Sequence, residues 1–115
     1  MEHHKIVVFE SKKIRRIWHE EEWYFSVVDI CGALTDAPND LTARKYWNKL
    51  AQRLRAESSE AVTNCHRLKL EAPDGKMRET DCANTKGMFR RSNIYNRTAG
   101  GRQSALVEFF EELPE

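Results

Sequence analysis

Two stretches of the chain are rich in lysine and arginine and contain no acidic residue, and they carry its strongest chemical signal. One covers residues 41–56 and the other residues 82–103. Each phosphate group that a Lys or Arg neutralises releases condensed counterions, so such stretches favour binding to a nucleic acid. The formal net charge is only +1. That excludes a uniformly basic protein of the histone type but allows a polarised surface.

Residues 41–57 predict an amphipathic helix. Trp47, Leu50, Ala51 and Leu54 repeat at the i, i+3, i+4, i+7 spacing of one helix face. The basic residues fall off that face, so we expect a cationic surface opposite a buried one. Amide side chains pair with adenine edges and arginines with guanine. The residues of this helix expected to contact double-stranded DNA are Arg44, Lys45, Asn48, Lys49, Gln52 and Arg53.

A hairpin is the second candidate DNA contact. Residues 62–70 and 76–80 flank Ala72-Pro73-Asp74-Gly75, and Asp-Gly supplies the positive φ of a tight turn. Lys69 and Lys76, with Arg67 and Arg78 nearby, would lie on the DNA backbone as a wing. The alternative for helix and hairpin alike is a solvated charged face with no ligand.

Metal binding and catalysis have weaker support. Zinc sites take four N or S ligands, usually from two closely spaced pairs. Here Cys31, Cys65 and Cys82 are widely spaced, and only Cys65 has a histidine beside it. Buried free thiols are the better interpretation. No nucleophile elbow, phosphate-binding loop or carboxylate pair is recognisable. We therefore expect no enzyme activity, no cofactor and no metal.

The elements that position these residues follow from the apolar pattern. Residues 6–9, 14–18 and 23–25 predict three short strands in a meander. Ser26 followed by Asp29 is the start signal of a first helix, and Asn39 or Asp40 would cap the second. Of the aromatic residues, we expect Trp23, Phe25 and Trp47 in the core.

The C-terminal third is harder to interpret. Thr80 or Asp81 would cap a third helix through Cys82, Ala83 and residues 88–89. The sequence thus predicts a single α+β domain with a small N-terminal β-meander, two helices, a β-hairpin and a further helix. Residues 104–113 again have a helical pattern, with an apolar stripe of Leu106, Val107, Phe109, Phe110 and Leu113. If exposed, this stripe would bind a partner or a second copy.

An ordered series of short motifs resembles the BRO-type N-terminal domain of prophage antirepressors and viral BRO proteins. The series covers roughly residues 5–90. Its members are Ile6–Phe9, Ile14-Arg15-Arg16, Glu22-Trp23-Tyr24-Phe25-Ser26-Val27-Val28-Asp29-Ile30, Ala33-Leu34-Thr35-Asp36, Ala43-Arg44-Lys45-Tyr46-Trp47-Asn48-Lys49-Leu50, Val62-Thr63-Asn64-Cys65, Leu68-Lys69-Leu70, Asp74-Gly75-Lys76, Thr80-Asp81 and Ala83-Asn84-Thr85-Lys86-Gly87. Residues 91–115 depart from the family pattern and form an atypical extension, as truncation or a frameshift would produce.

The resemblance implies a non-catalytic DNA-binding module in phage or prophage gene regulation, with a repressor protein as a further partner. The competing interpretation is a module that binds a repressor, or associates with itself, without touching DNA. No apolar run approaches the roughly 20 residues of a membrane-spanning helix. The N-terminus lacks the apolar region of a secretory signal. We therefore expect a cytoplasmic protein in a bacterial or phage-infected cell.

Overall fold

A computed structural model describes residues 6–56, 66–72, 74–84, 108–109 and 111–113. The chain forms an α+β domain, as predicted. Its elements in chain order are β1 (Ile6–Phe9), β2 (Lys12–His19), β3 (Glu22–Ser26), α1 (Val27–Thr35), α2 (Asp40–Ala56), β4 (His66–Glu71) and β5 (Met77–Asn84).

The predicted meander and hairpin belong to one five-stranded antiparallel sheet of order β1-β2-β3-β5-β4. They are joined through β3 and β5, where Phe25 lies opposite Ala83. The alternation of apolar and polar residues along a strand indicates which of its faces is buried. It does not indicate which distant strand will be its neighbour. The sequence therefore predicted the two halves without predicting that they are joined.

Two-residue turns connect the first three strands. Glu10 and Ser11 have φ of 46° and 70°, and Glu20 and Glu21 have φ of 51° and 64°. Positive φ at both central residues is typical of the type I′ turn, whose twist matches that of the flanking strands. Asn-Gly is the preferred sequence for this turn. This chain builds both turns without glycine, so each stores backbone strain.

The main core lies between one face of the sheet and the helices. Ile14 and Phe25 from the sheet meet Ile30 and Leu34 of α1 there, and all four are nearly inaccessible to solvent. The opposite face of the sheet carries a smaller buried cluster of Tyr24, Leu70 and Cys82, with Ile17 and Leu68 packed against it.

Helix α1 starts where the sequence predicts. Ser26 has extended backbone geometry, and its hydroxyl accepts a hydrogen bond from the backbone N–H of Asp29 at 3.3 Å. This satisfies one of the unpaired donors at the helix start. The helix ends at Thr35, and Asp36 follows in the left-handed conformation with its N–H bonded to the carbonyl of Gly32.

Helix α2 also has the predicted faces at the positions whose side chains the structure describes, which do not include Leu54. Asn39 caps it, accepting from the backbone N–H of Thr42 at 2.8 Å. Trp47, Leu50 and Ala51 are 2–3% exposed. The helix crosses α1 closely, because a Cβ placed on Gly32 would lie 3.3 Å from the Cβ of Ala43. A glycine that weakens α1 by propensity thus allows this close approach.

The predicted third helix is wrong. Thr80, Asp81, Cys82 and Ala83 belong to β5, which runs to Asn84. The segment pairs with β4 as far as Cys82 and with β3 from Cys82 onward, and this pairing outweighs a local capping signal. Residues 85–91, the rest of that predicted helix, lie outside the described part of the chain.

Part of the C-terminal stripe packs on the domain. Glu108, Phe109, Glu111 and Glu112 have helical backbone. Phe109 and Leu113 are partly buried against the main core, and the rings of Phe109 and Phe9 meet edge to face with centroids 5.3 Å apart. Leu106, Val107 and Phe110 lie outside the described residues.

Neither helix in the described ranges combines the length and apolar character needed to cross a membrane.

Candidate nucleic-acid interface

The predicted DNA-contacting residues of α2 lie together on its solvent side. All of them are exposed, whereas the intervening Ala43, Trp47, Leu50 and Ala51 are buried. The exposed residues are Arg44, Lys45, Asn48, Lys49, Gln52 and Arg53. We call this set the α2 basic face.

No residue that the structure describes neutralises the cations of the α2 basic face. Within the described residues, Arg44, Lys45, Lys49 and Arg53 form no ion pair, although Lys12, Arg15, Arg67 and Arg78 elsewhere do. Asp40, in the first turn, is the helix's one acidic residue. Unpaired cations on a single helix face concentrate positive potential where a polyanion would approach.

The buried side of α2 is fixed to the sheet by a hydrogen bond. The indole Nε1 of Trp47 donates to Oδ2 of Asp81 on β5 at 2.8 Å. The other carboxylate oxygen of Asp81 lies 3.8 Å from a guanidinium nitrogen of Arg67 on β4. This contact sets the rotation of α2 about its axis and therefore the direction in which the basic face points. The sequence gives no signal for this hydrogen bond, because Trp47 and Asp81 lie on elements far apart along the chain.

The hairpin turn has the expected geometry. Gly75 has φ of 85°, and its N–H donates to the carbonyl of Ala72 at 2.8 Å. The carboxylate of Asp74 accepts from the backbone N–H of Lys76 at 3.0 Å and from Arg78 at 2.6 Å. The hydrogen bond from Arg78, followed by that from Lys76, lowers the pKa of Asp74 below its ordinary value.

The hairpin offers fewer available cations than its composition suggests. Lys69 and Lys76 are exposed and form no ion pair with any described residue. Arg67 is paired with Glu79 at 3.4 Å as well as with Asp81, and Arg78 is paired with Asp74. The structure therefore leaves the two lysines as the hairpin's candidate phosphate contacts.

Lys69 lies on the sheet face to which α2 is anchored. It is opposite Glu79 in the register of β4 and β5, two residues from the Arg67–Asp81 pair. Side chains two residues apart on a strand share a face. The eight predicted residues thus fall on two elements, the helix and the hairpin, which the Trp47–Asp81 contact links.

The aromatic residues mostly serve the core, as predicted. Phe25 and Trp47 are 2% exposed. Trp23 is half-buried, and the guanidinium of Arg16 lies 3.9 Å from the centre of its ring. Burial lowers the pKa of Arg16. Trp18, at 50% exposed, meets Trp23 edge to face.

The cysteines that the structure describes are buried thiols. Cys31 and Cys82 are both inaccessible to solvent, and Cys65 lies outside the described ranges. Burial raises the pKa of the Cys82 thiol to about 12. Among the described side chains, no group of three or more His, Cys, Asp and Glu is arranged to hold a metal ion.

No protein-family model, no curated protein and no solved structure matches this chain.

Proposed function

We propose that the chain is a non-catalytic, DNA-binding regulatory module that contacts double-stranded DNA through the α2 basic face. The observation that carries the proposal is a group of four exposed cations on α2, unpaired within the described residues, opposite a face on which Trp47, Leu50 and Ala51 are buried. Each phosphate contact made by such a cation adds affinity without sequence preference. The resemblance of the sequence to BRO-type N-terminal domains supports an antirepressor-like role.

Asn48 and Gln52 are the candidates for base readout. Both are exposed amides on the α2 basic face, four positions apart, so their side chains project from the same side of the helix. Amides bind adenine through paired hydrogen bonds in the major groove, which admits an α-helix. Lys69 and Lys76 would then hold the DNA backbone beside the helix.

The competing proposal is a module that binds a repressor protein or a second copy through the C-terminal stripe. It has less support, because Phe109 and Leu113 are already packed against the domain's own core. Such residues are not available to a partner unless that packing opens.

A titration against labelled duplex DNA tests the proposal. The variant Arg44→Gln, Lys45→Gln, Lys49→Gln removes three charges from the α2 basic face. Its control, Lys12→Gln, Lys13→Gln, removes two charges from β2, away from the α2 basic face and the hairpin. Affinity is measured by fluorescence anisotropy over a series of salt concentrations.

The wild-type affinity is expected to fall steeply with salt. If all three side chains contact phosphates, the α2 variant reduces the slope of log K against log salt by about 3, and the control changes it little. Equal effects from both variants would remove α2 from the interface. Salt-insensitive binding, or self-association without DNA binding, would favour the protein-binding module.

A further inference from the structure

The α2 basic face surrounds one large apolar side chain that is exposed to solvent. Leu41, in the first turn of α2, is 55% exposed. The other exposed large apolar residues of the described chain lie on strands, and they are Ile6, Val8, Trp18 and Met77. The cap of α2 does not use Leu41 either, because Asn39 accepts from the N–H of Thr42. Neither the core nor the cap therefore accounts for a leucine at this position.

Leu41 lies in line with the candidate base-reading residues. An α-helix turns by about 100° for each residue. Four residues of α2 thus fall within about 60° of one another around the helix axis, namely Leu41, Lys45, Asn48 and Gln52. All four are exposed. We call these four residues the central row.

Cations flank the central row on both sides. Arg44 and Arg55 project to one side of it, and Lys49 and Arg53 project to the other. None of these four forms an ion pair with a described residue. When the central row faces the floor of the major groove, the flanking cations are directed towards the phosphates on either side of that groove.

The acidic residue of α2 is directed away from the central row. Asp40 lies about 100° from Leu41 around the axis, and its charge acts on Arg15 of β2. Leu41 is therefore placed among cations with no carboxylate of its own helix beside it. A single leucine in such surroundings is not the extended apolar patch that marks a protein interface, whereas the cations complement the charge of DNA.

DNA offers an apolar group to such a side chain. Thymine presents its C5 methyl group in the major groove, and apolar side chains contact it there. Leu41 has no side-chain hydrogen-bonding group, so it adds nothing to phosphate binding. Contact with a methyl group removes apolar surface of both partners from water, which is favourable.

We propose that Leu41 is a specificity-determining residue that contacts the C5 methyl group of a thymine in the major groove. The inference rests on the proposed function, since it requires α2 to enter that groove. Asn48 and Gln52, in the same row, carry the amides that recognise adenine. The ligand class is therefore duplex DNA with A·T pairs beneath the central row, read by a methyl contact as well as by hydrogen bonds.

Selection from a random duplex library, followed by uracil substitution, tests the proposal. Uracil differs from thymine in lacking the C5 methyl group. The wild-type protein is expected to select sites that contain thymine. Replacing the contacted thymine with uracil should weaken wild-type binding about fourfold, as for the loss of one buried methyl group. The same replacement should not affect binding by Leu41→Ala. Leu41→Met keeps a large apolar side chain and should still distinguish thymine from uracil.

The matched control is Val8→Ala, which truncates an apolar side chain on β1 that is also 55% exposed. This variant should distinguish thymine from uracil as the wild type does, and circular dichroism checks that each variant is folded. Wild-type protein that binds both duplexes alike, or a folded Leu41→Ala variant that still distinguishes them, would overturn the inference and leave DNA binding by α2 intact. Wild-type protein that binds no duplex would overturn the proposed function as well.

Discussion

Arg15 of β2 donates three hydrogen bonds to the carboxylate of Asp29 in the first turn of α1. Its backbone N–H lies 2.9 Å and its Nε 2.8 Å from Oδ2, and Nη2 lies 3.1 Å from Oδ1. The same guanidinium reaches the hydroxyl of Ser26 and the carbonyl of Glu71. Burial by itself lowers the pKa of Arg15, but the hydrogen bond and charge of Asp29 outweigh it and raise the pKa. One side chain therefore connects β2, α1 and β4 at the point where β3 ends.

The Arg15–Asp29 pair is expected to stabilise the fold. The side chains are 23% and 7% exposed, so Asp29→Asn leaves a partly buried guanidinium without its counter-charge. We expect a loss of about 3 kcal/mol in the free energy of unfolding, measured by urea denaturation. The double variant Arg15→Met, Asp29→Leu should lose less unfolding free energy than the sum of the losses from Arg15→Met alone and Asp29→Leu alone. The reason is that the double variant leaves no unpaired charge. Strict additivity would contradict a direct coupling between the two residues.

Local patterns predicted the parts of this fold whose causes are local. The Ser26 cap and the buried stripe of α2 depend on residues three or four positions apart, and the sequence displays that spacing directly. The pairing of β3 with β5 depends on residues about 58 positions apart, such as Phe25 and Ala83, and strand alternation does not name a partner. The error at Thr80 has the same origin, because a capping pattern is outweighed by non-local pairing.

The features of the candidate site that have local causes were also predictable from the sequence, and those that depend on distant residues were not. The exposure of Arg44, Lys45 and Lys49 follows from helical periodicity and was predicted. Whether a cation is neutralised depends on which acid the fold brings to it, so the pairing of Arg67 with Glu79 could not be foreseen. Arg67 and Glu79 come within reach of each other only through the register of β4 and β5. The geometry of the turn fixes that register.

Trp47 is expected to be the most sensitive residue of α2. It is 2% exposed, and its indole donates to Asp81. Trp47→Ala should cost about 3–5 kcal/mol of unfolding free energy, because it leaves a cavity. Trp47→Phe fills most of that space but leaves the Asp81 carboxylate without its donor. Its cost beyond the lost volume should be about 1–3 kcal/mol, as for a broken hydrogen bond to a charged group.

Chemical denaturation of four proteins checks this prediction: wild type, Trp47→Phe, Asp81→Ala and the double variant. If the hydrogen bond exists, Trp47→Phe should cost less in the Asp81→Ala background than in the wild type. A Trp47→Ala variant as stable as the wild type would mean that α2 presents a different face to the sheet.

The turn between β2 and β3 should be improved by substitution. Glu20 and Glu21 both have positive φ, a conformation that Asn and Gly adopt more readily than Glu. Glu20→Asn, Glu21→Gly should therefore raise the free energy of unfolding by about 1 kcal/mol. The contact of Glu20 with His19, at 3.6 Å and with Glu20 largely exposed, is a minor loss.

Thermal denaturation compares this variant with Glu20→Ala, Glu21→Ala, which removes the same charges without relieving the backbone. The alanine variant should show no gain. Equal stabilisation of both variants would assign the effect to charge repulsion among the glutamates and not to the turn conformation.

The Cys82 thiol should be inert in the folded protein. It is inaccessible to solvent, and burial, opposed by the charge of Arg15, raises its pKa to about 12 from an ordinary 9.0. The thiolate is the reactive form. Iodoacetamide at pH 8 should therefore modify Cys82 only after denaturation, as located by peptide mass spectrometry. Cys31, equally buried, should behave alike.

The same shift in the pKa of Cys82 makes stability depend on pH. Above pH 9 the unfolded thiol loses its proton, whereas the folded thiol keeps it until about pH 12. The unfolded state then binds fewer protons, so Cys82 lowers the free energy of unfolding by up to about 1.4 kcal/mol for each pH unit across that window. Below pH 9 it contributes no slope. Urea denaturation between pH 8 and pH 11 should give a steeper decline for the wild type than for Cys82→Ala. Parallel curves would mean that the thiol titrates alike in both states and is not buried with Tyr24 and Leu70.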